Sequence, residues 1–365
     1  MGNVWGSRIK LSIFGESHGE AIGIVIDGLP PGLLINWEQV EEEMARRAPG
    51  QNALSTPRKE SDKIEILSGL FEEKTTGAPL CGIIKNSNTV SKDYARYILR
   101  PGHADLTALY KYRGFADYRG GGHFSGRLTA PLVFGGAIAK QILQVKGIAI
   151  GARITRIHDI CDNSDIQDIV NDIVNISKKS FPVFDDDAAQ KMQKAVLDAK
   201  AEGDSLGGII ECAAIGLAGG LGDPFFNSLE SAISSMMFSI PAVKGIEFGG
   251  GFQLAAMKGS EANDPIYVES SRIRLKTNHN GGINGGITNG QPLVFRVALK
   301  PTPTIQKEQT TVDVESMQTI SFTNGGRHDP CIVPRAVPVV EAGLALCLLD
   351  FLADQIVLSE KEIVR

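Results

Sequence analysis

Cysteine is scarce and poorly placed for structural chemistry. Five stand at Cys81, Cys161, Cys212, Cys331 and Cys347, an odd number with no Cys-x-x-Cys pair. That argues against a disulfide framework and a cysteine-based zinc site, and it fits a reduced cytoplasmic setting. The start, MGNVWGSRIK, lacks the apolar core of a signal peptide, and position 6 is Gly6, so the serine arrives one place late for N-myristoylation. Excess charge of one sign is also missing. With 37 Lys+Arg against 42 Asp+Glu the formal net charge is −5, so nucleic acid is not expected to bind through bulk charge. The most apolar long stretch, 336–358, is broken by Glu341, Asp350 and Asp354 and reads as a packed helix rather than a membrane span. No G-x-x-x-x-G-K-[ST] is present, no G-x-G-x-x-G lies between a strand and a helix, and no His-Glu-x-x-His or other metal-ligand spacing occurs. A Walker-type NTPase, a Rossmann nucleotide site and a metal centre are therefore not expected. There is no fixed-period repeat and no separating linker, so residues 1–365 read as one domain.

Glycine is what the chain has in excess: 41 of 365 residues, against a usual ~7%. Many cluster, which points to loops where the backbone bends sharply or approaches a ligand. Strands are expected at 8–14, 22–27, 64–70, 80–85, 207–215 and 292–299. Helices are expected at 37–47, capped by Asn36 with arginines in its last turn, at 128–146, and from Ser228 to Phe238. The more polar stretch 160–205 reads as a peripheral helical excursion, with segments near 165–176 and 187–202. The mixture of elements gives an α+β fold class.

The chemistry-bearing side chains collect in the glycine loops. GESHG (15–19) sets a carboxylate, a hydroxyl and an imidazole side by side. A single loop histidine is ordinarily structural. Here five of six, His18, His103, His123, His279 and His328, lie in glycine- or charge-rich loops, and only His158 looks incidental. Arginines accompany them: Arg46 and Arg47 before APG, Arg100 before PGHAD, Arg127 after the glycine run, Arg327 in RHDP, and Arg335. Guanidinium forks bind carboxylate and phosphate bidentately, and glycine loops add backbone N–H donors. The residues alone lead to an enzyme acting on a small polyanion, with histidine as acid or base and Asp329 as a carboxylate partner.

In order along nearly the whole chain stand GESHGEAIGIVIDGLPPG, RRAPG, RPGHADLT, DYRGGGHFSGR, GDSLGG, PAVKG, NGGINGGITNGQ, KPTPT and GRHDPCIVPRAVPVVEA. Together they resemble the chorismate synthase family. The resemblance implies a β-α-β sandwich, with long central helices between antiparallel sheets, and a homotetramer. It implies an anti-1,4-elimination of phosphate from 5-enolpyruvylshikimate-3-phosphate to give chorismate, the last step of the shikimate pathway, dependent on reduced FMN without net redox change. By the same resemblance His18 protonates the departing phosphate and Ser17 belongs to its hydrogen-bonded set, while Glu16 fixes the turn. His103 serves the reduced flavin near N1, and Asp329, supported by Ser125, takes part in removing the C6 hydrogen. Substrate anion binding falls to Arg47, Arg100, Arg127, Arg327 and Arg335. Flavin contacts map to His123, Phe124, Ser125, Pro241, Ala242, Gly285, Lys300, Pro301, Thr302, Pro303, Thr304 and Arg327. The chain departs from the family's RGGGRSSAR: His123 stands for an arginine, Phe124 for a serine and Gly126 for an alanine, and Pro241 stands where many members have asparagine. Of two family arginines associated with the nicotinamide nucleotide, the first matches Arg47 and the second falls on Ala53, leaving Arg46 or Lys59 to assist. The chain is thus expected to use NADPH only indirectly and to depend on an external flavin reductase. Two other functions are weighed beside this one: a flavin oxidoreductase with net hydride transfer, and an anion-binding regulator. The presence of His18, His103 and Asp329 argues against the regulator.

Overall fold

The computed structural model describes residues 2–50, 54, 62–87, 94–325 and 329–353. Two five-stranded antiparallel sheets enclose a helical layer. The first runs Val4–Trp5, Lys10–Gly15, Ala21–Asp27, Leu80–Lys85, Ile64–Ser68 across the sheet. The second runs Val243–Phe248, Leu293–Leu299, Gly208–Ile215, Ala149–Ile157, Ile160–Cys161. Between them lie the helices Thr129–Val145 and Val333–Leu352. This is the sandwich that the sequence resemblance implied.

Period-two patterning builds the inner faces. In Ala21–Asp27, Ile22, Ile24 and Ile26 point inward and pair with Ile84, Gly82 and Leu80 of the neighbouring strand. Phe134 of the central helix packs over Gly82, where a Cβ would stand only 3.0 Å from its ring. The two central helices meet at Gly136, where a Cβ would lie 2.2 Å from that of Ala342, so only glycine allows this approach. Each fully buried Leu, Ile or Phe contributes about 1.5–3 kcal/mol. The stretch 126–145 is apolar enough by length and composition to cross a bilayer, yet 78% of its most apolar window is buried within this fold. It is the core helix of the sandwich.

Charge ties the layers together. Glu341, fully buried, accepts from Arg46 Nη1 (2.7 Å) and Nη2 (2.9 Å), from Lys140 Nζ (2.6 Å) and from the Ala152 amide (3.0 Å). Asp350 accepts the amides of Ser7, Arg8 and Ile9, fastening the N-terminal strand pair to the last helix. Asn36 caps helix Trp37–Arg47 through Gln39 N–H, and Ser228 caps Leu229–Ser239 through Ser231 N–H, where the sequence placed them.

The stretch 160–205 corrects the expected outline. Its helices are Ile166–Ile169, Ile173–Ser177 and Asp186–Ala201. Phe181, Val183, Met192 and Val196 are buried in the main apolar cluster, so the segment is woven into the core rather than set apart from it. Among the elements not anticipated are the strands Ala149–Ile157 and Val243–Phe248, and helix Asp105–Tyr112.

Candidate active site

The GESHG turn links Lys10–Gly15 to Ala21–Asp27. It closes through Gly19 N–H to the Glu16 carbonyl (3.0 Å), and Asn86 Nδ2 donates to the carbonyls of Glu16 (3.0 Å) and Gly19 (2.9 Å). Glu16 thus holds the turn through its backbone oxygen. The turn directs Ser17 (0% exposed) and His18 (8% exposed) inward. Their neighbour is the run Gly120–Gly122, whose φ values are 60°, 84° and 53°. A Cβ on Gly120 would stand 2.3 Å from His18 Cδ2 and 2.5 Å from its Nε2; one on Gly121 would stand 3.0 Å from His103 Cε1. The glycines let two distant histidine loops close on one backbone strip. Ser17 N–H donates to the Gly122 carbonyl (3.1 Å), locking the arrangement.

RPGHAD supplies the second histidine. His103 Nδ1 lies 2.8 Å from Asp105 Oδ1, and Arg100 grips Asp105 through Nε and Nη2, both at 2.8 Å. Burial works to raise the Asp105 carboxyl, but hydrogen bonds from His103 and Arg100 overcome it and hold the group well below the usual carboxylate range. The Tyr94 ring joins both loops: it is edge-on to His18 at 5.2 Å and lies under the Arg100 guanidinium at 5.5 Å. Lys300 Nζ donates to the Gly102 carbonyl, its amide donates to Ala242 (2.9 Å), and Pro303 packs on Gly102. Ser205 Oγ donates to the Thr302 carbonyl (2.7 Å), and Thr304 is buried. Lys300 and Pro303 thus meet Gly102, next to His103 in the chain, and Ala242 joins them through Lys300; Pro301 flanks Gly207.

The arginines form the adjoining flank. Asp62 bridges Arg47 Nη1 (2.6 Å) and Arg127 Nη1. Arg47 also donates to Thr129 Oγ1 (3.2 Å) and to the Gly126 carbonyl (3.4 Å). Burial, opposed by Asp62 and aided by Arg335 and Arg127, pushes the Arg47 guanidinium down to about 10. Arg335 donates to the Arg47 carbonyl (3.0 Å) and pairs with Asp329. Asn86 joins the two groups, since its Oδ1 accepts from Arg127 Nε (3.2 Å) while its amide holds the GESHG turn. The cations Arg47, Arg100, Arg127, Arg335 and Lys300 outnumber the carboxylates Asp62, Asp105 and Asp329, which favours a polyanion.

Several expected residues are placed differently from their sequence reading. Both nitrogens of His123 are engaged, Nδ1 donating to the Gly15 carbonyl (2.8 Å) and Nε2 lying 3.1 Å from Asn3 Oδ1, so this residue ties the glycine loop to the first sheet. Ser125 accepts from the Arg127 amide (3.2 Å) and caps the next turn. Phe124 is 37% exposed and edge-on to Tyr112 at 6.1 Å, leaving an aromatic surface beside the loop. Gly285 lies in the turn of hairpin Ile283–Thr288, whose Gly286 packs on Asp223 and Ser228. Arg46 is engaged by Glu341, Glu43 and the Ser177 carbonyl. Arg327, His328, Ala53 and Lys59 lie outside the described residues. Sequence reasoning missed Asp62, Asn86, Tyr94 and Asp105. Only Asp105 had a local signal, as an acid two places after a loop histidine.

A family profile described as Chorismate synthase matches residues 9–353. The chain is 46% identical over 356 residues to the chorismate synthase of Dehalococcoides mccartyi, covering 96% of each chain. It is 45% identical over 352 residues to that of Methanobrevibacter smithii, again with 96% of each covered. A solved structure titled "Crystal Structure of Chorismate Synthase" superposes with a TM-score of 0.75 at 28% identity, covering 98% of this chain and 96% of that one. The histidine loops, the arginine flank and the sandwich that carries them belong to an enzyme of the lyase class acting on a phosphate, and the chain is a member of the chorismate synthase family.

Proposed function

We propose that the chain eliminates phosphate from 5-enolpyruvylshikimate-3-phosphate to give chorismate, with reduced FMN bound over the Gly120–Gly122 loop. The observation that carries this reading is the closure of His18 and His103 on that one loop, with the arginines alongside. The substrate has two carboxylates and a phosphate, which suits forked cations. Ser17 Oγ and Thr302 Oγ1 are buried without a hydrogen-bond partner among the described residues, which suits a polar ligand there. The flavin therefore fits the loops 300–304 and 120–125, where Lys300, Thr302 and Phe124 offer charge, hydroxyl and aromatic surface. Reduced FMN, when bound, supplies an electron that is lent and returned, so no net redox change results. His18, buried beside Tyr94 and Gly120, delivers a proton to the departing phosphate as its charge develops. His103 turns Nε2 to the glycine loop and exchanges a proton there with the bound group. Asp329, paired with Arg335, receives the C6 hydrogen as a proton.

The test is anaerobic incubation of the protein with that substrate and chemically reduced FMN. Equal amounts of phosphate and chorismate are expected, and absence of chorismate overturns the reading. The same assay with NADPH and oxidised FMN is expected to give no sustained product. Arg47 is 3% exposed and committed to Asp62, and Arg46 to Glu341, so neither fork is open to a nucleotide phosphate. Product formation at the rate seen with reduced FMN would remove the need for an external reductase.

Asp329→Asn keeps the side-chain shape and loses the charge. Turnover is expected to fall at least about 10²-fold, with flavin and substrate affinities retained. An unchanged single-turnover rate would take Asp329 out of C6–H cleavage. We further propose a homotetramer in the cytoplasm. Hairpin Ile266–Leu275 exposes Ile266, Val268 and Ile273 at 73%, 74% and 78%, surface that an assembly would cover. A monomeric mass by light scattering would overturn the assembly.

A further inference from the structure

Asp105 has no part in the chemistry described so far, yet it is held by Arg100 through three hydrogen bonds while facing His103. Its Oδ2 accepts the Arg100 amide (2.9 Å) and Arg100 Nε (2.8 Å). Its Oδ1 accepts Arg100 Nη2 (2.8 Å) and faces His103 Nδ1 (2.8 Å). An ionised carboxylate only accepts, so the proton of the His103 contact is assigned to Nδ1. Arg100 Nη2, 3.3 Å from Nδ1, then points its hydrogen at Asp105 rather than at the ring. The neutral imidazole is left with Nε2 bare. That nitrogen faces the glycine strip, since a Cβ on Gly121 would stand 3.1 Å from it.

We propose that Asp105 is the positioning residue of His103: it holds the Nδ1–H tautomer, so that Nε2 alone exchanges protons with whatever binds over Gly120–Gly122, and Arg100 anchors the carboxylate for that task. The proposal rests on the reading of His103 as a proton-holding group. A neutral imidazole without such a partner samples both tautomers and both ring orientations, and half of these turn the wrong nitrogen to the site. A carboxylate on the remote nitrogen removes that freedom and steadies the imidazolium when it forms. It also gives Arg100 a second meaning. One edge of its fork is committed to Asp105, and only its remaining hydrogens can reach a substrate anion.

The experiment uses the full chain labelled with ¹⁵N only at its six histidines, read by solid-state spectra without ligand, with His103→Gln to assign the signal. In the wild type above the His103 titration midpoint, Nδ1 should be pyrrole-like and Nε2 pyridine-like. In Asp105→Asn the His103 signals should show mixed tautomers, while the other histidines stay unchanged and so report an intact fold. Anaerobic turnover of the same variant should show kcat reduced about 10²-fold with little change in KM, and Asp105→Glu should restore part of it. A wild-type Nε2–H tautomer, or an Asp105→Asn protein with unchanged tautomer, overturns the proposal. An altered tautomer with unchanged kcat also overturns it. In that case the role of His103 has failed, while the Asp105 geometry and the rest of the functional reading stand.

Discussion

Gly120→Ala is expected to stop turnover almost as completely as His18→Ala or His103→Ala, each lowering kcat by about 10²- to 10⁴-fold. The glycine has no functional group to lose. Its φ of 60° is left-handed, which an alanine adopts at a penalty of roughly 1–2 kcal/mol. That is too little to unfold a domain of this size. The decisive term is steric: the new methyl would sit 2.3 Å from His18 Cδ2 and 3.0 Å from Ser17 Oγ. The imidazole has to rotate away from the position in which it meets the departing phosphate. Gly126→Ala is the matched control, because nothing lies within 4 Å of a Cβ there and its backbone is not left-handed. The signature is activity lost in Gly120→Ala at an almost unchanged urea midpoint, with Gly126→Ala close to wild type in both. Near-normal turnover in Gly120→Ala would mean that His18 does not work from the place this structure gives it.

The largest loss of stability from one polar substitution is expected for Glu341→Gln, about 3–5 kcal/mol at neutral pH. Glu341 is wholly buried and holds Arg46, Lys140 and the Ala152 amide at once, so three elements lose their common partner. Glu43 remains as a partner for both cations, but one carboxylate cannot replace two. Burial favours the neutral acid, yet Lys140 and Arg46 pull harder and hold the Glu341 carboxyl below its ordinary value of 4.5. A depressed carboxylate stabilises the fold above its unfolded value and loses that contribution as pH falls through the folded value. The deficit of the glutamine variant relative to wild type should therefore be full at pH 7 and shrink below 4.5. Urea unfolding at several pH values measures it. A deficit independent of pH, or none at neutral pH, would show that the ionised carboxylate is not what ties the helices together.

Some of this architecture was legible along the chain and some was not. Helix Trp37–Arg47 announced itself by Asn36 and its closing arginines, and Ala21–Asp27 by its alternating isoleucines. Strand Ala149–Ile157 did not, because Arg153 reads as a surface residue. In the fold it is 2% exposed, paired with Glu211 and Asp162. Helix Asp105–Tyr112 was hidden because Ala104, at its N-cap, makes no capping hydrogen bond.

The sequence by itself determined the local features: the periodicities, the caps, and the concentration of histidine and glycine in a few loops. Those depend on neighbours a few positions away, through helix and strand geometry and the conformational freedom of glycine. Only the tertiary structure decided which charges are already spoken for. Arg46 meets Glu341 across 295 positions, Arg127 meets Asp62 across 65, and His123 meets Gly15 across 108. An arginine or histidine reads the same in sequence whether it faces a ligand or an internal oxygen. The choice is made by long-range packing, which brings carboxylates and carbonyls from distant segments into hydrogen-bond reach.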